Sequence, residues 1–173
     1  MQLLRETGEG AWTIEDDLRG KPIVHGAPAR HVSISHTGRF IAAAASTLGP
    51  VGIDIERHNL GRDVERLAEA AFGPDEMRAV AVGGPSVFYR IWTIREALAK
   101  ATGEGMAKIV DGIDRVPASL VDGSWISAGN GWCVAHDQIH DGLSLALAVH
   151  APGADARTFA DLRQSRIEVE CDR

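Results

Sequence analysis

The segment PSVFYRIWTIREALAKATG, Pro85 to Gly103, is the longest stretch of this chain in which apolar side chains recur with a helical period. Phe88, Ile91, Trp92, Ala99 and Ala101 make much of it apolar, and Gly103 is a natural helix stop. Read as a helix, it sets Glu96 and Lys100 one turn apart, with Trp92 one turn earlier. In isolation such an i,i+4 pair is a surface ion pair worth only about 0.3–0.5 kcal/mol. Whether the carboxylate and the amine do more depends on what the rest of the chain brings beside them.

Working outward, two shorter helical segments precede this one: DVERLAEAAF, and GPDEMRAVAV with Pro74 near a helix N-terminus. Before them come strand candidates. HVSIS is followed by the turn-like HTGR (His36 to Arg39), then by the apolar run FIAAAAS and, after Leu48-Gly49-Pro50, by VGIDIE. Downstream, short strands are expected around Ala107 to Val110, Ser124 to Ile126, Trp132 to His136 and Leu143 to His150. Strands, then helices, then strands specify an α+β fold rather than a doubly wound sheet.

At 173 residues the chain forms one compact domain, or two small halves sharing a core. A formal net charge of −6, with dispersed basic residues, argues against nucleic-acid binding as the main task. No apolar run is long enough to cross a bilayer, and MQLLRETGEG lacks the apolar core of a signal peptide, so a cytoplasmic protein is expected. Cys133 and Cys171 are too few and too isolated for a disulfide framework or a metal site, and Cys133 reads as a small core residue. The glycines form neither a dinucleotide fingerprint nor a phosphate-binding loop. His136 and His140, four apart across an expected loop, read as structural or surface residues.

Two further stretches carry chemistry. In VGIDIE, Asp54 and Glu56 lie on one strand face, roughly 6.5–7 Å apart along the chain. Two like charges there call for compensation, and Mg²⁺ suits carboxylate oxygens while keeping phosphate and water ligands. The alternative is the solvated face of an edge strand. In ISHTG, His36 ends a strand beside Gly38, where a ring N–H and backbone N–H groups can meet a phosphate. The alternative is an ordinary surface histidine.

Taken in order, GKP (Gly20 to Pro22), ISHTG, GIDIE and WTIREALAK resemble the Sfp-type 4'-phosphopantetheinyl transferases over roughly residues 20–150. The family carries G-(I/V)-D near mid-chain and a W-x-x-K-E-x-x-x-K helix downstream. The resemblance implies an α+β pseudo-dimer of two halves, the first shortened: residues 1–50 a remnant of the N-terminal half, 51–152 the catalytic half, 153–173 a polar tail, flexible or loosely docked. It implies transfer of the phosphopantetheine arm of coenzyme A to a serine of an acyl or peptidyl carrier protein, with adenosine 3',5'-bisphosphate released. By the same resemblance, Asp54, Glu56 and Glu96 hold Mg²⁺ against the coenzyme A pyrophosphate. Ser35 and His36 contact phosphate oxygens, Lys21 lies near the nucleotide, and Lys100 pairs with the pyrophosphate and supports the leaving group. Glu96 is also the expected base.

Glu76 resembles a further acidic position, and Arg95 stands where the family usually has lysine. The basic residues that help bind the 3'-phosphate in the family have no counterpart in the shortened half. Shorter synthases of the family are trimers with sites between subunits, so oligomerisation is compatible with the resemblance. Against the enzyme stand two alternatives: an inactive relative that binds coenzyme A or a carrier protein, and an unrelated metal-binding α+β domain. The joint presence of Asp54, Glu56, Glu96, Lys100 and His36 favours the enzyme.

Overall fold

A computed structural model describes residues 13–16, 20–25, 31–103, 105, 122–140, 142–153 and 168–171. Its elements are β1 (Thr13–Asp16), β2 (Pro22–His25), β3 (His31–Thr37), β4 (Phe40–Ser46), β5 (Val51–Arg57), α1 (Val64–Ala71), α2 (Pro74–Thr102), β6 (Trp125–Gly129), β7 (Trp132–His140), β8 (Leu143–His150) and β9 (Glu168–Cys171). The expected α+β class holds. The strand expected at Ala107 to Val110 lies outside the described residues.

The strands form two antiparallel sheets, one ordered β1-β2-β3-β4-β9 and the other β5-β8-β7-β6. Neither β1 nor β2 was legible in the mixed composition before residue 30. Four residues of the polar tail add an edge strand, β9, along β4. The β3–β4 hairpin turns on Gly38 and Arg39, with Gly38 at φ 57°, as a two-residue turn between right-twisted strands requires. The β6–β7 turn uses Asn130 and Gly131, at φ 50° and 79°, the pair of left-handed residues typical of a type I′ hairpin. β7 continues to His140, so no loop separates His136 from His140. Pairing with β8 holds the polar DQIH stretch extended, with an irregularity between Gln138 and His140.

Asp63 caps α1 by accepting from the Arg66 N–H. α2 starts at Pro74, where the missing N–H costs nothing, and ends at Gly103 in the left-handed region. The two helical segments expected around GGP run together, broken only at Gly84, whose φ of 65° and ψ of −153° are non-helical. Phe88, Tyr89, Ile91, Ile94, Leu98 and Ala101 of α2 bury against Val134, Ala146 and Ala148 of the second sheet. Trp92 anchors this helix as expected, stacked on Phe88 at 5.6 Å and near Phe72 at 6.4 Å.

β5 joins the parts. Its Ile53 and Ile55 pack with Ala42 of β4 and with Leu143 and Leu145 of β8, while Gly52 meets α2. The edge of β5 that faces away from β8 is not left open. Ser33, Ser35 and Thr37 of β3 accept from the N–H groups of Ile53, Ile55 and Arg57 at 3.1, 3.3 and 3.2 Å. The alternating Ser-x-Ser-x-Thr of β3 therefore seals a strand edge that would otherwise leave buried donors unsatisfied.

Gly52 is fixed by close approach. A Cβ placed there would lie 1.9 Å from the Ala97 carbonyl oxygen and 2.6 Å from the Ala101 nitrogen. Helix backbone cannot step aside as a flexible side chain can. Gly52→Ala is expected to cost about 3 kcal/mol, the upper range for overpacking. A urea-unfolding midpoint equal to that of the wild type would show that α2 does not seat on β5 this closely.

Candidate functional site

The meeting of β3, β5 and the last turns of α2 gathers the residues singled out above. Asp54 points from β5 toward α2 and is almost fully buried. Its Oδ1 accepts from Lys100 Nζ at 2.7 Å and from Ser35 Oγ at 2.8 Å. Lys100 Nζ also donates to Ser35 Oγ at 2.7 Å, closing a three-membered cluster. Lys100 thus pairs with a carboxylate 46 residues away in the chain, on another element. The one-turn spacing to Glu96 is not what engages it.

Ser35 is saturated. A hydroxyl has one proton and two lone pairs. The proton goes to Asp54, and the lone pairs receive Lys100 and the Ile55 N–H. The resemblance had assigned it phosphate contact. In this arrangement it orients Asp54 and Lys100. Its neighbour His36 is exposed on the opposite face of β3, opposite Ile41 in register.

Glu56 and Glu96 are half-buried near Asp54. Burial, then the Asp54 charge, pushes the Glu96 carboxyl above its ordinary value, and Lys100 pulls it partly back. Burial likewise raises Glu56, reinforced by Asp54 and Glu96 and opposed by Arg62 and Lys100. Two carboxyls raised beside the buried Asp54 are an arrangement that gains from a cation.

The donor set fits a hard divalent ion. It offers only carboxylate oxygens, and Asp54 Oδ2 is buried with no hydrogen-bond partner. As the side chains stand with Lys100 on Asp54, no three His, Cys, Asp or Glu among the described residues form a group that could hold a metal. The cation beside Asp54 is instead the Lys100 ammonium.

An open cleft of about 430 Å³ adjoins this cluster, lined among others by Lys21, Ser33, Ile34, Glu96, Lys100 and Gly103. Lys21 donates to the Ala101 carbonyl, placing a cation at the C-terminal end of α2, where the helix dipole favours positive charge. It therefore ties the GKP segment to the end of the helix that carries Glu96 and Lys100.

Arg95 and Glu76 belong elsewhere. Arg95 Nε and Nη2 donate to Glu76 Oε1 and Oε2 at 3.1 and 2.6 Å, and Nη1 donates to the Ala71 carbonyl at 3.3 Å. The guanidinium carbon lies 5.4 Å from the centre of the Phe72 ring. Glu76 Oε2 also accepts from the Gly73 N–H at the start of α2. This buried fork ties the start of α2 and its Arg95 turn to the end of α1, away from the cleft. The two residues are 19 apart, with a kink between them, so no local pattern announces the pair. The same holds for the β3 hydroxyls, whose alternation read only as a strand.

His136, buried on β7, pairs through Nδ1 with Asp122 at 2.8 Å. It is structural, as expected. No helix among the described residues is long and apolar enough to cross a membrane.

The model of the 4'-phosphopantetheinyl transferase superfamily matches residues 50–148. That span holds Asp54, Glu56, Glu76, Arg95, Glu96 and Lys100, and leaves Lys21, Ser35 and His36 outside. A 4'-phosphopantetheinyl transferase of Bacillus subtilis is 33% identical over 96 residues, covering 53% of this chain and 42% of the relative. The transferase Sfp of Bacillus subtilis strain 168 is 29% identical over 97 residues, with 53% and 42% covered. The transferase AcpT of Salmonella typhi is 32% identical over 106 residues, with 59% and 55% covered. The chain thus spans about half the length of the curated relatives it matches. With the acidic face of β5, the Glu96–Lys100 turns of α2 and the β3 seam in one place, the match of more than half the chain settles its kinship: the protein belongs to the 4'-phosphopantetheinyl transferase superfamily.

Proposed function

We propose that the protein transfers the 4'-phosphopantetheine arm of coenzyme A to a serine hydroxyl of an acyl or peptidyl carrier protein, with Mg²⁺ required, in the cytoplasm. The observation that carries this reading is the cleft in which Glu96 and Lys100 open onto the Asp54–Ser35 cluster. In the step, a P–O bond forms between the carrier serine and the phosphorus bearing the pantetheine arm. The pyrophosphate P–O bond breaks, the serine proton passes to Glu96, and adenosine 3',5'-bisphosphate departs.

The residues suit these tasks. Asp54, Glu56 and Glu96 would hold the divalent cation, which supplies charge neutralisation on the pyrophosphate oxygens. Glu96 lines the cleft and is the carboxylate positioned there to accept the serine proton. Lys100, a third exposed, reaches both the cleft and Asp54, and can meet the charge on the leaving group. Lys21, which lines the cleft, offers a further contact to coenzyme A phosphates, and His36 carries that role by the family resemblance alone. With a net charge of −6, docking of an acidic carrier would rest on a local apolar or basic face rather than on overall attraction.

The test is direct. The protein is mixed with coenzyme A, Mg²⁺ and an apo carrier, and the intact mass of the carrier is followed. A gain of one phosphopantetheine is expected. No gain across several acyl and peptidyl carriers sinks the enzyme reading, and a calorimetric titration with coenzyme A would then identify a non-catalytic binder.

A further inference from the structure

Lys100 is the cation that Asp54 already has. Its Nζ lies 2.7 Å from Asp54 Oδ1, on a side chain that is 32% exposed, whereas the Asp54 side chain is 6% exposed. Lys100 and Glu96 line the cleft and Asp54 does not. An ion entering from the cleft therefore meets the ammonium before it meets Asp54. A dication and an ammonium on one carboxylate oxygen repel strongly in a half-buried setting. Asp54 Oδ2, buried and without a hydrogen-bond partner, leaves a second coordination position open on the same carboxylate.

Resting on the metal-dependent reading above, we infer that Lys100 is an exchangeable counter-ion. It neutralises Asp54 in the metal-free protein, yields that position to the divalent cation, and is thereby released into the cleft toward substrate phosphate. Ser35 makes the exchange orderly. Its proton stays on Asp54 Oδ1 and its other contact is the Ile55 N–H, so losing Lys100 frees one lone pair without releasing the carboxylate. Ser35 is thus a positioning residue for both partners. The acidic cluster is stable without metal because an ammonium is built in, and the group that leaves is one that the reaction uses next.

The test reads metal binding rather than turnover. Mn²⁺ is titrated into the intact protein without coenzyme A, and the free ion is followed by electron paramagnetic resonance. Lys100→Gln is expected to bind Mn²⁺ about tenfold or more tightly than the wild type, because the competing charge is gone. Lys100→Arg, which keeps the charge, should stay near the wild type. In parallel, labelling of Lys100 by an amine-reactive reagent, read by peptide mass spectrometry, should accelerate when Mn²⁺ is added. Equal or weaker Mn²⁺ binding by folded Lys100→Gln, slower labelling with metal, or no Mn²⁺ binding by either protein would overturn the exchange. The carrier mass assay separates the two ideas: transfer without the Lys100 effect removes only the exchange, and the Lys100 effect without transfer removes only the enzyme reading.

Discussion

Glu96→Gln is expected to lower phosphopantetheine transfer by roughly 10²–10⁴-fold, the range in which a positioned proton acceptor contributes, while the fold is retained. The stability readout separates this from a surface role. Were Glu96 simply the i,i+4 partner of Lys100, its loss would cost about 0.3–0.5 kcal/mol. Here Lys100 is held by Asp54, and Glu96 lies above its ordinary pKa through burial and the Asp54 charge. A carboxyl whose folded pKa exceeds its unfolded one binds more protons when folded. Its ionisation therefore lowers stability as pH rises through the folded value. Removing that charge should leave the unfolding midpoint at neutral pH unchanged or higher.

Proton acceptance needs ionised Glu96, so the transfer rate should fall on the acid side of the pH–rate profile. A Glu96→Gln protein that transfers at the wild-type rate would remove Glu96 from the chemistry.

What the sequence made legible follows from how local each signal is. The long helical period of Pro85 to Gly103, the β-branched VGIDIE and the glycine turn after His36 are short-range patterns, and each became the element its pattern specifies. Asp54 and Glu56 share a strand face because the period of a strand is two, which needs no tertiary knowledge. The partner of Lys100 could not be read in the same way. Glu96 is near in sequence, and Asp54 is near only once Gly52 lets β5 seat against Ala97 and Ala101. The resemblance implies phosphate contact for Ser35, and its hydrogen bonds within the protein are a separate matter. Its saturation emerges only when the β5 edge is placed beside β3. β1 and β2 were missed because charged and glycine-rich sequence gives no alternation, and pairing along β3 supplies the order instead.

Arg95 shows how far a motif can mislead about a role. Its place beside Glu96, where the family usually has lysine, invites an assignment to the active site. The side chain instead leaves the cleft and closes a bidentate fork with Glu76 under Phe72. Both groups are nearly out of solvent, so the pair gains little over a hydrophobic substitute but is costly to break on one side. Arg95→Ala strands a buried carboxylate and leaves the Ala71 carbonyl without its donor. The expected loss is about 3–5 kcal/mol, read as a lowered urea midpoint. Arg95→Lys keeps the charge but offers neither the fork nor the third donor, and should fall between the two. Glu76→Gln in the Arg95→Ala background removes the stranded charge and should recover part of the loss, which a double-mutant cycle measures. Transfer at a temperature where Arg95→Lys remains folded should stay near the wild-type rate, since the fork touches neither Glu96 nor the cleft. An Arg95→Ala protein as stable as the wild type would show that the fork carries no stability, and an Arg95→Lys protein that is folded and inactive would place Arg95 in the catalytic machinery.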